Sequence, residues 1–101
     1  MSKTMVVRYR THPEHAEHNA ALVAAVFAAL ARDQPAGVRY QVLRAEEGGC
    51  SFMHVVTLED GLAVHPITSL PEFQAFAAGI RERCEVPPEQ LPSTVVGRYP
   101  A

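Results

Sequence analysis

The sequence predicts an α+β sandwich of order β-α-β-β-α-β, and three observations carry that expectation. Two segments repeat apolar residues with the spacing of one helix face, each entered by a Ser/Thr-x-x-Glu pattern with a proline in the first turn. Four short segments of strand character stand before, between and after them. The third of these is apolar at both parities, as in a strand covered on both faces.

The first strand is expected over residues 5–10, with Met5, Val7 and Tyr9 on one face and Val6, Arg8 and Arg10 on the other. Thr11-His12-Pro13-Glu14 then opens a helix. Thr11 and Glu14 have capping-box spacing, and Pro13 sits where a missing N–H costs nothing. The helix runs to about Arg32, with Leu22, Val23, Val26, Phe27 and Leu30 on one face. The surrounding alanines favour helix and let another surface approach. Asp33-Gln34-Pro35-Ala36-Gly37 stops it.

Residues 38–44 form the second strand, with Val38, Tyr40 and Val42 on one side. Glu46-Glu47-Gly48-Gly49 is a hairpin loop, and residues 51–58 return as the third strand. There Phe52, His54, Val56 and Leu58 alternate with Met53, Val55, Thr57 and Glu59. A loop follows to Thr68. Ser69 and Glu72 repeat the capping-box spacing with Pro71 between them, and Phe73, Phe76, Ala77 and Ile80 lie on one helix face. Pro87, Pro88 and Pro92 put residues 85–92 outside regular structure, which leaves residues 94–99 as the last strand. Two split β-α-β units of this kind build a four-stranded antiparallel sheet with both helices on one face, the ferredoxin-like arrangement. The other face would carry apolar side chains, so a homodimer through the sheet face is expected.

With 101 residues, 48% of them apolar and 20% charged, the chain has the size and balance of one globular domain over residues 1–101. A formal net charge of −2 speaks against nucleic acid or an anionic membrane as partner, since both need a basic face. The longest apolar run, residues 20–31, is too short to span a bilayer, and no apolar signal region precedes the first strand. A cytoplasmic location is expected. Cys50 and Cys84 lack metal-ligand spacing and read as reduced thiols, with a single bridge left open. His12, His15 and His18 lie on the first helical turns beside Glu14 and Glu17, with no convergent set elsewhere to complete a zinc site. No glycine-rich nucleotide pattern is present. Neither metal nor cofactor is expected.

The strand-Arg-Thr-His-Pro-Glu entry, Gly37-Val38-Arg39-Tyr40, residues 52–60 and Ser69-Leu70-Pro71-Glu72-Phe73-Gln74-Ala75-Phe76 together resemble the antibiotic biosynthesis monooxygenase domain of the dimeric α/β-barrel superfamily. The resemblance implies a homodimer whose sheets face each other. It also implies a small-molecule cavity between sheet and helices. Enzymes of the family oxidise polycyclic aromatic or quinol-type molecules with O₂, without metal or flavin. They often carry a tryptophan in or near the third strand, where this chain has Leu58 and no Trp anywhere. Haem-degrading relatives carry a histidine inside the second helix, where this chain has Ala77. Haem degradation is therefore not expected.

His54 is the most informative polar residue, lying mid-strand between Phe52 and Val56. A desolvated imidazole stays neutral and could take a proton from a substrate phenol, so His54 is the expected general base of an oxygenase. A core or interface histidine is the plainer alternative. Tyr40, on the paired strand, is expected to orient a substrate oxygen, or else to be core with its hydroxyl at the rim. Arg8 and Arg39 are candidates for binding an oxyanion or carboxylate, though solvated strand edges are commoner homes. His65, before Pro66, is placed near a cavity mouth, and Phe73 on the helix face completes the expected substrate contacts. Two function classes follow: a cofactor-independent monooxygenase of an aromatic or quinol-type molecule, or a non-catalytic dimeric module that binds a small ligand or serves as a structural partner.

Overall fold

A computed structural model describes residues 2–100. The elements are β1 (Ser2–Thr11), α1 (Ala16–Asp33), β2 (Val38–Arg44), β3 (Ser51–Glu59), α2 (Pro71–Ala78), α3 (Ile80–Arg83) and β4 (Cys84–Ser93). The strands lie in the order β2-β3-β1-β4, every neighbour antiparallel. This is the expected ferredoxin-like fold.

The helix entries differ from expectation in their caps. Thr11 stays in β1 and is fully buried, its hydroxyl donating to the Cys50 carbonyl at 3.4 Å. The Ser69 hydroxyl donates to the His65 carbonyl at 2.7 Å, and Leu70 stands at the N-cap of α2. Neither capping box forms, because each hydroxyl has a carbonyl acceptor beside it. The prolines do as expected: Pro13 opens a 3-10 turn (Pro13–His15) ahead of α1, and Pro71 opens α2. Gln34 ends α1 in the left-handed conformation at φ 47°, its N–H donating to the Leu30 carbonyl.

The last strand is the main correction. β4 is the proline-bearing segment Cys84–Ser93, while residues 94–100 form no strand. Proline lacks the N–H of a ladder, but an edge strand needs ladder bonds on one side only. β4 is that edge, paired only with β1. Arg8 pairs with Glu89 and Arg10 with Val86, so Pro87 and Pro88 together oppose Tyr9 in a bulge. Beyond it the chain is exposed, with Val96 fully so.

The second helix is also shorter than its apolar spacing suggests. It breaks at Gly79, and the Arg83 side chain of α3 folds back to donate to the Phe76 carbonyl at 2.6 Å. That carbonyl would otherwise be left open at a helix end. The break turns Ala77 out to solvent, while Phe76 stays buried and Phe73 and Ile80 are half-buried.

The helices cover one sheet face. Val26 and Ala29 of α1 and Phe76 of α2 join Tyr9, Phe52, Ile67 and Leu70 in the core. Each large apolar side chain buried there contributes about 1.5–3 kcal/mol. The Tyr9 and Phe52 rings stack at 5.4 Å. The opposite sheet face carries Val6, Met53, Val55 and Leu91, half-buried among their neighbours, with Leu43 48% exposed. Among the described residues no helix is long and apolar enough to cross a membrane.

Candidate functional site

Strand register decides what surrounds His54. On the helix-covered face, Tyr9 of β1 pairs with Phe52 and Tyr40 of β2 pairs with Val56. His54 lies between those two rungs, so the tyrosines reach it diagonally from opposite sides. Tyr9 Oη is 2.8 Å from His54 Nε2, and Tyr40 Oη is 2.6 Å from Nδ1. Both ring nitrogens are thus engaged. The imidazole is 5% exposed, with the Phe76 ring at 5.3 Å.

The chain continues inward. The Asn19 side-chain amide donates to Tyr9 Oη at 2.8 Å, and Arg83 Nε donates to Asn19 Oδ1 at 3.1 Å. Asn19 is fully buried on the face of α1 that also carries Val26, one heptad further on. Arg83 projects from α3 at the α2 break. Five side chains from β2, β3, β1, α1 and α3 therefore form one buried polar line.

Burial sets the charge of this line. Desolvation lowers the His54 pKa from 6.5 to about 4, so the ring is neutral near pH 7. The same cause raises both Tyr9 and Tyr40 well above the ordinary phenol value. Tyr9 is relieved in part by its bond from Asn19. Desolvation also lowers Arg83.

At its outer end the line meets an open cleft of about 320 Å³. Phe27, Leu30, Ala31, Gln34, Pro35, Val38 and Tyr40 line it, between the end of α1 and β2. The Phe27 and Tyr40 rings are stacked, 4.9 Å apart and 9° from parallel. The walls are apolar and aromatic, and Gln34 and Tyr40 are the lining residues with polar side-chain groups.

The expected residues divide accordingly. Tyr40 lines the cleft, and His54 stands behind it. Phe73 packs edge-tilted on the Phe76 ring at 5.6 Å, in the core between α2 and the sheet. His65 Nδ1 accepts the backbone N–H groups of Ile67 and Thr68 at 3.1 and 3.2 Å, which shapes the loop into α2. Arg8 and Arg39 lie on the other sheet face, exposed, Arg8 with Glu89 at 3.6 Å. A wider groove there, about 420 Å³, is lined by Arg8, Leu43, Met53 and Val86 among others. The two arginines are thus a sheet thickness away from His54. Among the described residues no group of three or more His, Cys, Asp or Glu is placed to hold a metal ion. Both cysteines are free.

Sequence reading missed Tyr9, Asn19 and Arg83. Tyr9 had a signal in its parity, and Asn19 had one as an amide on an apolar helix stripe. Arg83 had none, because its position depends on the break at Gly79.

Residues 3–79 match the family model for antibiotic biosynthesis monooxygenase. Among solved structures the chain is similar to a mutant of SnoaB, a cofactor-independent oxygenase from Streptomyces nogalater, at 26% identity and a TM-score of 0.64, covering 99% of this chain and 98% of that one. It is similar in fold to Rv0793 from Mycobacterium tuberculosis, at 15% identity and a TM-score of 0.76, over 98% and 99% of the two chains. A crystal structure from Bacteroides thetaiotaomicron superposes with a TM-score of 0.80 at 15% identity, over 97% and 92%. No curated protein matches the chain.

Proposed function

This chain belongs to the antibiotic biosynthesis monooxygenase family, and from that premise we propose that it is a cofactor-independent monooxygenase of a flat aromatic or quinol-type small molecule bound in the cleft beside Tyr40. The observation that carries the reading is the Tyr40 hydroxyl, 2.6 Å from His54 Nδ1 on a residue that also lines the cleft. The oxygenase name of SnoaB, 26% identical over nearly the whole length, supports the same chemistry.

The stacked Phe27 and Tyr40 rings offer an aromatic wall to a planar substrate. Tyr40 is the contact for a substrate oxygen, and His54 acts through it, holding its hydroxyl in place. In the reaction, a ring carbon conjugated to that oxygen loses a proton to solvent at the open cleft. Its electron pair forms a C–O bond to O₂. The resulting hydroperoxide loses water and leaves a carbonyl, so a methylene plus O₂ gives a ketone plus water, with the substrate as reductant. Turnover under ¹⁸O₂ is expected to place one labelled atom in the product. Tyr40→Phe is expected to lower kcat by about 10²–10³, the usual effect of removing one donor to a developing oxyanion. Product without label, or full activity in Tyr40→Phe, would reject the proposal.

One observation favours a second reading, a binding module without turnover: both His54 nitrogens are already engaged inside the protein. Saturable aromatic binding without O₂ consumption is its signature. We also propose that two copies pair through the sheet face bearing Val6, Met53, Val55 and Leu91, which supplies the second layer that half-buried apolar side chains favour.

A further inference from the structure

We propose that Arg83 and Asn19 fix the direction of the buried hydrogen-bond line, so that Tyr40 presents a donor to the cleft and the ligand atom it takes is an acceptor oxygen, a phenolate or a quinone-type carbonyl. The inference rests on the cleft being the substrate site.

The direction follows link by link. A guanidinium only donates. Arg83 Nε therefore turns the carbonyl oxygen of Asn19 toward itself, which turns the Asn19 NH₂ toward Tyr9. Tyr9 Oη accepts that bond and has one hydrogen left to place. Its other hydrogen-bond partner is His54 Nε2, and Tyr9 is 4% exposed. The hydrogen therefore goes to Nε2. A neutral imidazole has one proton, so that proton is on Nδ1, directed at Tyr40 Oη. Tyr40 accepts it, and its own hydrogen has no acceptor among the described residues. Reversing the line would strand the Tyr9 O–H in the core, a costly outcome for a buried donor.

The anchor is well seated. Arg83 is 6% exposed and forms no ion pair with a carboxylate among the described residues. Its Nη2 donates to the Phe76 carbonyl, and the guanidinium lies 5.3 Å over the Phe76 ring. Gly79 leaves room for it: a Cβ there would stand 3.1 Å from Nη1. A buried cation at one end and an open cleft at the other polarise every bond in the same sense, which strengthens the terminal donor. Arg83 and Asn19 are positioning residues, acting through Tyr9 and His54.

The test reads the His54 tautomer by long-range ¹H–¹⁵N correlation on histidine-labelled protein near neutral pH. The wild type is expected to carry the proton on Nδ1. In Asn19→Asp the carboxylate accepts from both Arg83 and Tyr9, so the line reverses and the proton moves to Nε2. A wild type protonated on Nε2, or the same tautomer in wild type and folded Asn19→Asp, overturns the proposal. If the variant does not fold, the wild-type tautomer decides. The ligand class is read with 4-nitrophenol, whose ionisation is visible by absorbance. The wild type is expected to bind the phenolate about tenfold or more tighter than the phenol, as a donor to a charged oxygen would, and Tyr40→Phe to lose the preference. Equal binding of both forms, or of neither, overturns that half. No step of the tautomer test needs turnover. An active enzyme with Nε2–H sinks this inference alone, and Nδ1–H in a protein that oxygenates nothing sinks the monooxygenase reading alone.

Discussion

His54 couples the site to stability. Its folded pKa of about 4 lies below the ordinary 6.5 because burial penalises the imidazolium. Between those values the unfolded chain takes up a proton that the folded chain refuses. His54 therefore leaves stability unaffected above pH 6.5 and lowers it as pH falls toward 4, by about 3 kcal/mol in the limit. Urea midpoints measured across that interval should fall in the wild type and fall less in His54→Gln; identical slopes would show that the ring is not desolvated. Glu17 and Asp33 are held below the usual carboxylate range by Arg44 and Arg32, but both are exposed surface pairs whose effect is screened by solvent. Parity put His54 on one face with Phe52 and Val56, and Tyr40 with Val38 and Val42, but with β3 apolar at both parities it left open which face the helices cover. What the two side chains touch was not legible, because Tyr9, Asn19 and Arg83 come from elements whose relative positions no local spacing encodes.

At the scale of elements, β4 carries the instructive error. Three prolines argue against a strand only where both ladders must be made, and the sheet order makes β4 an edge. The Pro87-Pro88 bulge also interrupts a free row of backbone groups that another chain could join. Replacing both prolines with threonine should leave the fold intact and raise concentration-dependent light scattering. Unchanged scattering would mean that the prolines do not guard the edge. The α2 break has the same character. Its apolar spacing was visible, but the helix ends where the Arg83 side chain takes the Phe76 carbonyl, a contact across seven residues.

For the whole molecule, the consequential surface is the sheet face away from the helices. If two copies meet there, light scattering at micromolar concentration gives twice the monomer mass. Val55→Lys, at the centre of that face and away from the His54 line, should give a folded monomer. A wild type that is monomeric at that concentration would end the dimer proposal. The same variant asks whether the cleft works alone, since its lining residues come from α1, β2 and the turn between them.

The sequence by itself determined the α+β order, the four-stranded antiparallel plan, the extents of β2 and β3, the end of α1 and which residues share a strand face with His54 and with Tyr40. These follow from periodicity, proline at helix entries and the parity of strands, all of which act over a few residues. Tertiary structure alone decided which segment completes the sheet, where α2 stops, that both capping hydroxyls bind other carbonyls, and that His54 stands behind Tyr40 rather than in the cleft. Most of these depend on a partner distant in sequence, β1 for β4, Cys50 for Thr11, and Tyr9 with Asn19 for His54, while the Arg83 and Ser69 contacts reach seven and four residues back along the chain. A hydrogen bond or an edge position is a property of two segments brought together, and one segment's composition cannot specify it.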